Sequence, residues 1–154
     1  MTQLPRPATL LDPALAGRAL PAVGTVVSRD RAREFARAIG EERDVHLDIA
    51  AARAAGYPDL LLTPTLLFGI ELELRSPQLF STIGVAPADV LHTEQSFVFH
   101  TTAHAGEDLV FRGRISSVRR HRAGHLEFLE QDSEVSRGGV PVASLHQVIA
   151  VRPR

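Results

Sequence analysis

Residues 63–74 read T-P-T-L-L-F-G-I-E-L-E-L. Thr63 suits a helix cap and Pro64 a first helical turn, where the missing N–H costs nothing. Leu66, Leu67, Phe68, Ile70, Leu72 and Leu74 leave almost no polar face until Glu71 and Glu73. A helix that is apolar nearly all round is buried nearly all round. Gly69 in its middle costs about 1 kcal/mol against alanine, and close approach of another backbone is the expected compensation. The rest of the chain must supply what covers this helix.

Downstream, Leu79 to Asp89, with Gly84 and Pro87, reads as a loop, and the hydrophobic period then changes from 3.6 to 2. Phe97 and Phe99 alternate with Ser96, Val98 and His100, and are expected in the core. Leu109, Phe111, Gly113 and Ile115 alternate with Val110, Arg112 and Arg114. Leu126 and Phe128 alternate with Glu127, and Val140 to Val151 is a final strand-like run. Ala105-Gly106-Glu107, Arg122-Ala123-Gly124 and Gly138-Gly139-Val140-Pro141 are the turn signals between them.

Upstream, Val23 to Val27 reads as a short strand. Ser28 is placed to cap a helix that Gly40 stops, with Ala32, Phe35, Ala36 and Ile39 on one apolar face. Asp48 is placed to cap a second, short helix through Ala55, ended by Gly56. Residues 1–17, with Pro5, Pro7 and Pro13, are expected as an N-terminal arm hugging the surface, and residues 18–154 as a single domain. Helices first and antiparallel strands after argue an α+β fold. The expected arrangement is a long central helix wrapped by a curved antiparallel sheet, whose outer edges favour pairing with a second copy.

Composition narrows the chemistry. The chain has 154 residues, a formal net charge of -1 and no cysteine. Disulfides, thiolate metal sites and cysteine nucleophiles are excluded, and no bulk positive field draws nucleic acid or an anionic membrane. All 17 basic residues are arginine, which also excludes lysine chemistry. The most apolar stretch, Leu60 to Ile70, is broken by Thr63, Pro64, Thr65 and Gly69 and is too short to span a bilayer. Met1 to Leu10 has no signal-peptide run, so a cytoplasmic location is expected. His121 and His125 have i, i+4 spacing over a turn rather than a helix, and His100 and His104 lie at a strand end. No metal site is expected from either pair. Arg112, Arg114, Arg119, Arg120 and Arg122 read first as a solvated strand end, and second as a contact for the phosphates of coenzyme A or a carrier protein. No serine sits in a nucleophile-elbow context.

Phe35 to Tyr57 places an acid, Glu41, five residues before His46, in the link between the two short helices. From spacing alone, Glu41 reads as an exposed loop acid and His46 as a structural histidine. A carboxylate and an imidazole held together can instead activate water. Gly40 to Asp48 reads G-E-E-R-D-V-H-L-D, followed by an alanine-rich helix and Gly56-Tyr57. Later come Leu62-Thr63-Pro64-Thr65-Leu66, then Leu91-His92-Thr93-Glu94-Gln95-Ser96-Phe97-Val98-Phe99-His100, then Ala105-Gly106-Glu107-Asp108-Leu109.

These segments, in this order over residues 18–152, resemble the MaoC-like hydratase and dehydratase family of the hotdog fold, in particular its N-terminal-type dehydratase domain. The family signature runs roughly G-D-x-N-P-x-H-x-D. The resemblance puts His46 on the catalytic histidine and Glu41 on the catalytic aspartate, with Arg43 for the asparagine and Asp44 for the proline. It implies reversible hydration of trans-2-enoyl thioesters, or dehydration of 3-hydroxyacyl thioesters, of coenzyme A or acyl carrier protein, in fatty acid metabolism. No cofactor is implied beyond the thioester itself, and a homodimer or a heterodimer with another hotdog subunit is expected. Thr63, Thr65 and Leu66, at the start of the central helix, are the implied substrate-binding residues; the Thr65 and Leu66 N–H groups would stabilise the enolate. A non-catalytic substrate-binding subunit beside a catalytic partner is the alternative, and an acyl-thioester hydrolase a third. Two departures bear on the choice. Leu62-Thr63-Pro64 stands where full-signature hydratases carry A-H-G, and proline removes an N–H. Glutamate for aspartate adds a methylene, and misplacing a catalytic group by about 1 Å can cost about 100-fold in rate.

Overall fold

The computed structural model describes residues 11–120 and 126–152. Helix α1 (Arg29–Ala38) starts at Ser28, whose Oγ accepts the Arg31 N–H at 3.2 Å. Helix α2 (Ile49–Ala54) starts at Asp48, whose Oδ1 accepts the Ala51 N–H at 2.7 Å. Both caps fall where side-chain acceptors satisfy orphan donors of the first turn. The strands are β1 (Val23–Val26), β2 (Val90–Phe99), β3 (Asp108–Arg120), β4 (Glu127–Arg137) and β5 (Val140–Val151). They form one antiparallel sheet in the order β1-β3-β4-β5-β2. Gly138 and Gly139, with φ of 53° and 82°, make the two-residue turn between β4 and β5, the conformation that a tight hairpin requires.

The central helix, α3 (Leu66–Ile83), is longer than its sequence suggests. The expected loop from Leu79 is helical to Ile83, and Pro77 lies inside the helix. An interior proline costs about 3 kcal/mol. Leu79 and Ile83 offset it: both are buried against Ile115, Leu129, Ile149 and Val151, and full burial of such a side chain stabilises by about 1.5–3 kcal/mol. Leu11, Leu15 and Leu20 belong to the same cluster, and the Gly17 and Leu20 N–H groups bond the carbonyls of Ile115 and Gly113. The start of α3 enters a second cluster, in which Leu66, Leu67 and Ile70 meet Leu109, Phe111, Val135, Val142 and Leu145.

Between the two clusters lies a polar centre. Glu71 and Arg75 are 2% and 1% exposed. Arg75 Nε donates to Glu71 Oε1 at 2.8 Å, Nη1 to the Pro21 carbonyl at 2.9 Å and Nη2 to the Phe111 carbonyl at 3.1 Å. Ser133 Oγ and Gln131 Nε2 also donate to Glu71 Oε1. Removing one partner of a buried pair costs about 3–5 kcal/mol, because the other charge is left unpaired.

Three expectations need correction. The inward face of β4 is Glu127, Leu129, Gln131, Ser133 and Val135, opposite in phase to Leu126 and Phe128. Glu127 is accommodated because Oε2 accepts the Leu11 N–H at 2.7 Å, while Phe128 lies outward under the Arg119 guanidinium. Phe97 packs against the first cluster, but Phe99 is 46% exposed. At Gly69 the approaching group is not backbone but the Phe35 side chain, 3.7 Å from where a Cβ would stand. The close approach is instead at Gly113, where a Cβ would meet Arg75 Cζ and Ser133 Oγ at 2.9 Å. Gly113→Ala should therefore destabilise by about 1–3 kcal/mol, whereas Gly69→Ala should be neutral or stabilise by up to about 1 kcal/mol. Thermal and urea denaturation of the two variants checks this.

Candidate functional site

Gly40 (φ 72°) ends α1 in a left-handed conformation. Its N–H bonds the Arg37 carbonyl, and the Glu41 N–H bonds the Ala36 carbonyl at 2.9 Å. This paired helix ending fixes where Glu41 leaves the helix. A short 3-10 turn, Asp44–His46, follows and carries the imidazole inward. His46 is 1% exposed, and its Nδ1 lies 2.7 Å from the Leu61 carbonyl oxygen. A carbonyl only accepts, so Nδ1 carries a hydrogen, and in a neutral ring the lone pair then falls on Nε2. That nitrogen is buried without a hydrogen-bond partner, and so is Thr63 Oγ1.

Both residues line one pocket of about 400 Å³. Its apolar wall is Leu61, Leu62, Leu67, Phe99, Ala103 and Val142, and Arg43 and His100 also line it. Two clamps hold the walls. Arg29 forks onto Asp59 at 2.6–3.1 Å, and Asp59 Oδ1 accepts the Leu60 N–H, so the segment leading to Thr63 is tied to the start of α1. Across the pocket, the Glu107 carboxylate accepts the His104 N–H at 2.9 Å and also meets Arg137, which fixes the loop carrying Thr101–Ala103.

Glu41 lies beside this pocket rather than among its lining residues. Its Oε2 stands 3.7 Å from His46 Nε2, beyond direct hydrogen bonding. Arg43 holds it: the backbone N–H and Nε both donate to Oε1 at 3.0 Å, and Nη2 donates to Oε2 at 2.7 Å. These bonds bring the Glu41 carboxyl from an ordinary 4.5 down to about 2.

The structure thus brings together Glu41, His46 and Thr63. Thr65 and Leu66 are not lining residues. The Leu66 N–H is already bonded to the Thr63 carbonyl at 3.1 Å, and the Leu66 side chain is buried in the core. Thr65, not Thr63, is the residue preceding the first helical turn, and its side chain makes no capping bond. Sequence reasoning did not find Arg43 as the partner of Glu41, nor Phe99 through Ala103 and Val142 as pocket wall. The i, i+2 spacing of Glu41 and Arg43 was the one local signal; the wall is assembled by strand pairing. Among the described arginines of the basic concentration, Arg114 pairs with Asp132, Arg119 with Glu130, and Arg120 lies 3.9 Å from Glu127. His121, Arg122 and His125 lie outside the described residues. Among the described residues no cluster of three or more His, Asp or Glu is placed to hold a metal ion, and no helix is long and apolar enough to cross a membrane.

The α+β arrangement of a five-stranded antiparallel sheet on one long helix is the hotdog fold shared with MaoC-like dehydratases and hydratases. A solved MaoC-like dehydratase superposes with a TM-score of 0.80 at 25% identity, over 90% of this chain and 42% of that one. The C-terminally truncated HadBC (3R-hydroxyacyl-ACP dehydratase) complex from Mycobacterium tuberculosis gives 0.75 at 24% identity, over 88% and 96%. Residues 14–145 match the model of the FAS1-like dehydratase domain region, and the chain belongs to that family. Its curated relatives are UPF0336 proteins. One from Parafrankia sp. is 38% identical over 94 residues, which span 60% of this chain and 62% of the relative. Another, from Streptomyces griseus, is 30% identical over 146 residues, 91% and 95% of the two lengths.

Asp59 is held down to about 2, from an ordinary 3.8, chiefly by its bonds to Arg29. A lowered carboxyl stabilises the fold above its unfolded value and loses that contribution as pH falls through the folded one. Asp59→Asn should therefore lower the melting temperature at neutral pH, and the gap to the wild type should close as pH falls from about 3.8 to about 2. Melting curves over a pH series test it.

Proposed function

We propose that this chain catalyses reversible hydration of trans-2-enoyl thioesters, or dehydration of 3-hydroxyacyl thioesters, carried on coenzyme A or acyl carrier protein. The observation that supports this reading is a juxtaposition. The unpartnered His46 Nε2 belongs to an apolar-walled pocket and stands 3.7 Å from a carboxylate oxygen that Glu41 brings to it. One water can lie about 2.8 Å from both atoms.

In the hydration direction, that water's oxygen forms a bond to C3 of the substrate while His46 Nε2 takes its proton. The C2=C3 electron pair moves to C2, with charge delocalised onto the thioester oxygen. The imidazolium then returns a proton to C2. Acid–base exchange of this kind suits an imidazole near neutral pH. Thr63 Oγ1 is the donor proposed for the thioester oxygen, with the Thr65 N–H beside it. Pro64 has no N–H and that of Leu66 is engaged, so this helix start offers fewer backbone donors than an unmodified one. The reaction draws on no cofactor.

A specific observation favours a second reading, a substrate-binding subunit paired with a catalytic hotdog partner. Glu41 accepts three hydrogen bonds from Arg43, which reduces its strength as a base. The structural neighbour described as a HadBC complex pairs two such subunits.

Purified protein offered short and medium trans-2-enoyl-CoA should form the 3-hydroxyacyl product, and His46→Ala should lower the rate by about 10²–10⁴-fold. Full activity in that variant sinks the dyad. Activity that appears only on adding a second hotdog subunit selects the binding reading. Thiol release from saturated acyl-CoA selects a hydrolase.

A further inference from the structure

The two oxygens of Glu41 are not equivalent. A carboxylate oxygen has two lone-pair directions. Oε1 takes the backbone N–H and Nε of Arg43, both at 3.0 Å, and is filled. Oε2 takes only Nη2, at 2.7 Å, and keeps capacity on the side where His46 Nε2 lies 3.7 Å away. The guanidinium fork thus sets the plane of the carboxylate and selects which oxygen meets the pocket. Arg43 itself is 68% exposed along its side chain and supports nothing in the core. An exposed ion pair of this kind contributes little to stability. Its geometry is better accounted for by what it does to Glu41.

We propose that Arg43 is a positioning residue: it holds Glu41 as a fixed anion that orients the water through Oε2, so that His46 alone carries the travelling proton. This rests on the hydration reading above. The charged and titratable groups facing Glu41 are Arg43 and His46, and Tyr57 lies near the Arg43 guanidinium. The depressed Glu41 carboxyl, at about 2, agrees with the geometry. A carboxylate that stays ionised throughout the working range divides the labour of the pair: Glu41 aligns, His46 exchanges.

The test uses the full chain with Arg43→Gln and Arg43→Lys, and reads two quantities. Carbon-detected NMR titration of the Glu41 side-chain carboxyl needs no turnover. It should place the wild-type midpoint near 2 and move it in Arg43→Gln toward the ordinary 4.5. Arg43→Lys should fall between, because an ammonium cannot reproduce the planar fork. The pH dependence of kcat for enoyl-CoA hydration is the second readout. Its acid limb should gain a second ionisation in the carboxylate range in Arg43→Gln and remain closer to wild type in Arg43→Lys.

A carboxyl midpoint that does not move in Arg43→Gln overturns the inference, whether or not the chain turns over. So does a midpoint that moves while the acid limb stays unchanged. A rise in KM alone, with the pH profile intact, makes Arg43 a substrate contact and also overturns it. Absence of turnover in every variant, with the carboxyl shift intact, sinks the hydration reading and supports the hold of Arg43 on Glu41.

Discussion

The buried pair of Glu71 and Arg75 is the constraint on which the rest of this fold turns. A guanidinium away from water must find a partner for nearly every N–H, and Arg75 finds them on three elements: Glu71 of its own helix, the Pro21 carbonyl before β1, and the Phe111 carbonyl of β3. Glu71 in turn collects Gln131 and Ser133 of β4. Slipping the helix by one turn would leave the Arg75–Glu71 bond within it intact but would break every bond from the pair to Pro21, Phe111, Gln131 and Ser133. Apolar residues of equal volume can hold such layers together as well or better; what the polar bonds add is a fixed set of partners for one position of the helix along the sheet. That position matters because it sets Thr63 and Pro64, at the helix entrance, opposite Phe99 and Val142.

The candidate site is carried by an excursion outside the sheet. The chain leaves α1 at Gly40, turns inward at His46, forms α2 and returns to the helix entrance at Thr63. Three ties hold this excursion: the Glu41 N–H to the Ala36 carbonyl, His46 Nδ1 to the Leu61 carbonyl, and the Arg29 fork on Asp59. The imidazole is thereby fixed in one tautomer and one orientation without being used up. Its second nitrogen remains, like Thr63 Oγ1, a buried polar atom with no protein partner, and leaving such an atom unsatisfied costs free energy.

Local chemistry was legible in the sequence, and long-range chemistry was not. Ser28, Asp48, Gly40 and Gly56 cap or end helices where their residue types predict, because a cap is decided within a few residues. Leu109, Phe111 and Ile115 face inward as their alternation predicts. Strand β4 defeated the same rule because its inward face carries Glu127, Gln131 and Ser133. Polar residues read as outward unless their partners are known, and those partners are Leu11 and Glu71, far away in the chain. Leu79 to Ile83 read as loop because the burial that holds them in the helix comes from Ile115, Leu129, Ile149 and Val151 of β3, β4 and β5. At the site, Glu41 and His46 were readable through the family pattern and Thr63 through its place at the helix start. Arg43 was passed over as a substitution for asparagine, and the pocket wall from Phe99 to Ala103 appears only once β2 pairs with β5.

The cations holding these parts in place, Arg29, Arg43, Arg75 and Arg137, are all guanidinium groups, and the chain has no lysine at all. A primary amine near neutral pH is a nucleophile and a target for acylation, whereas a guanidinium stays protonated and holds its electron pairs in delocalised bonds. With the thioester substrate proposed above, a lysine clamp would be open to slow acylation by the very molecule it helps to hold. A guanidinium clamp is chemically inert to acyl donors, so under that proposal the ion pairs around the site would not wear out through contact with substrate.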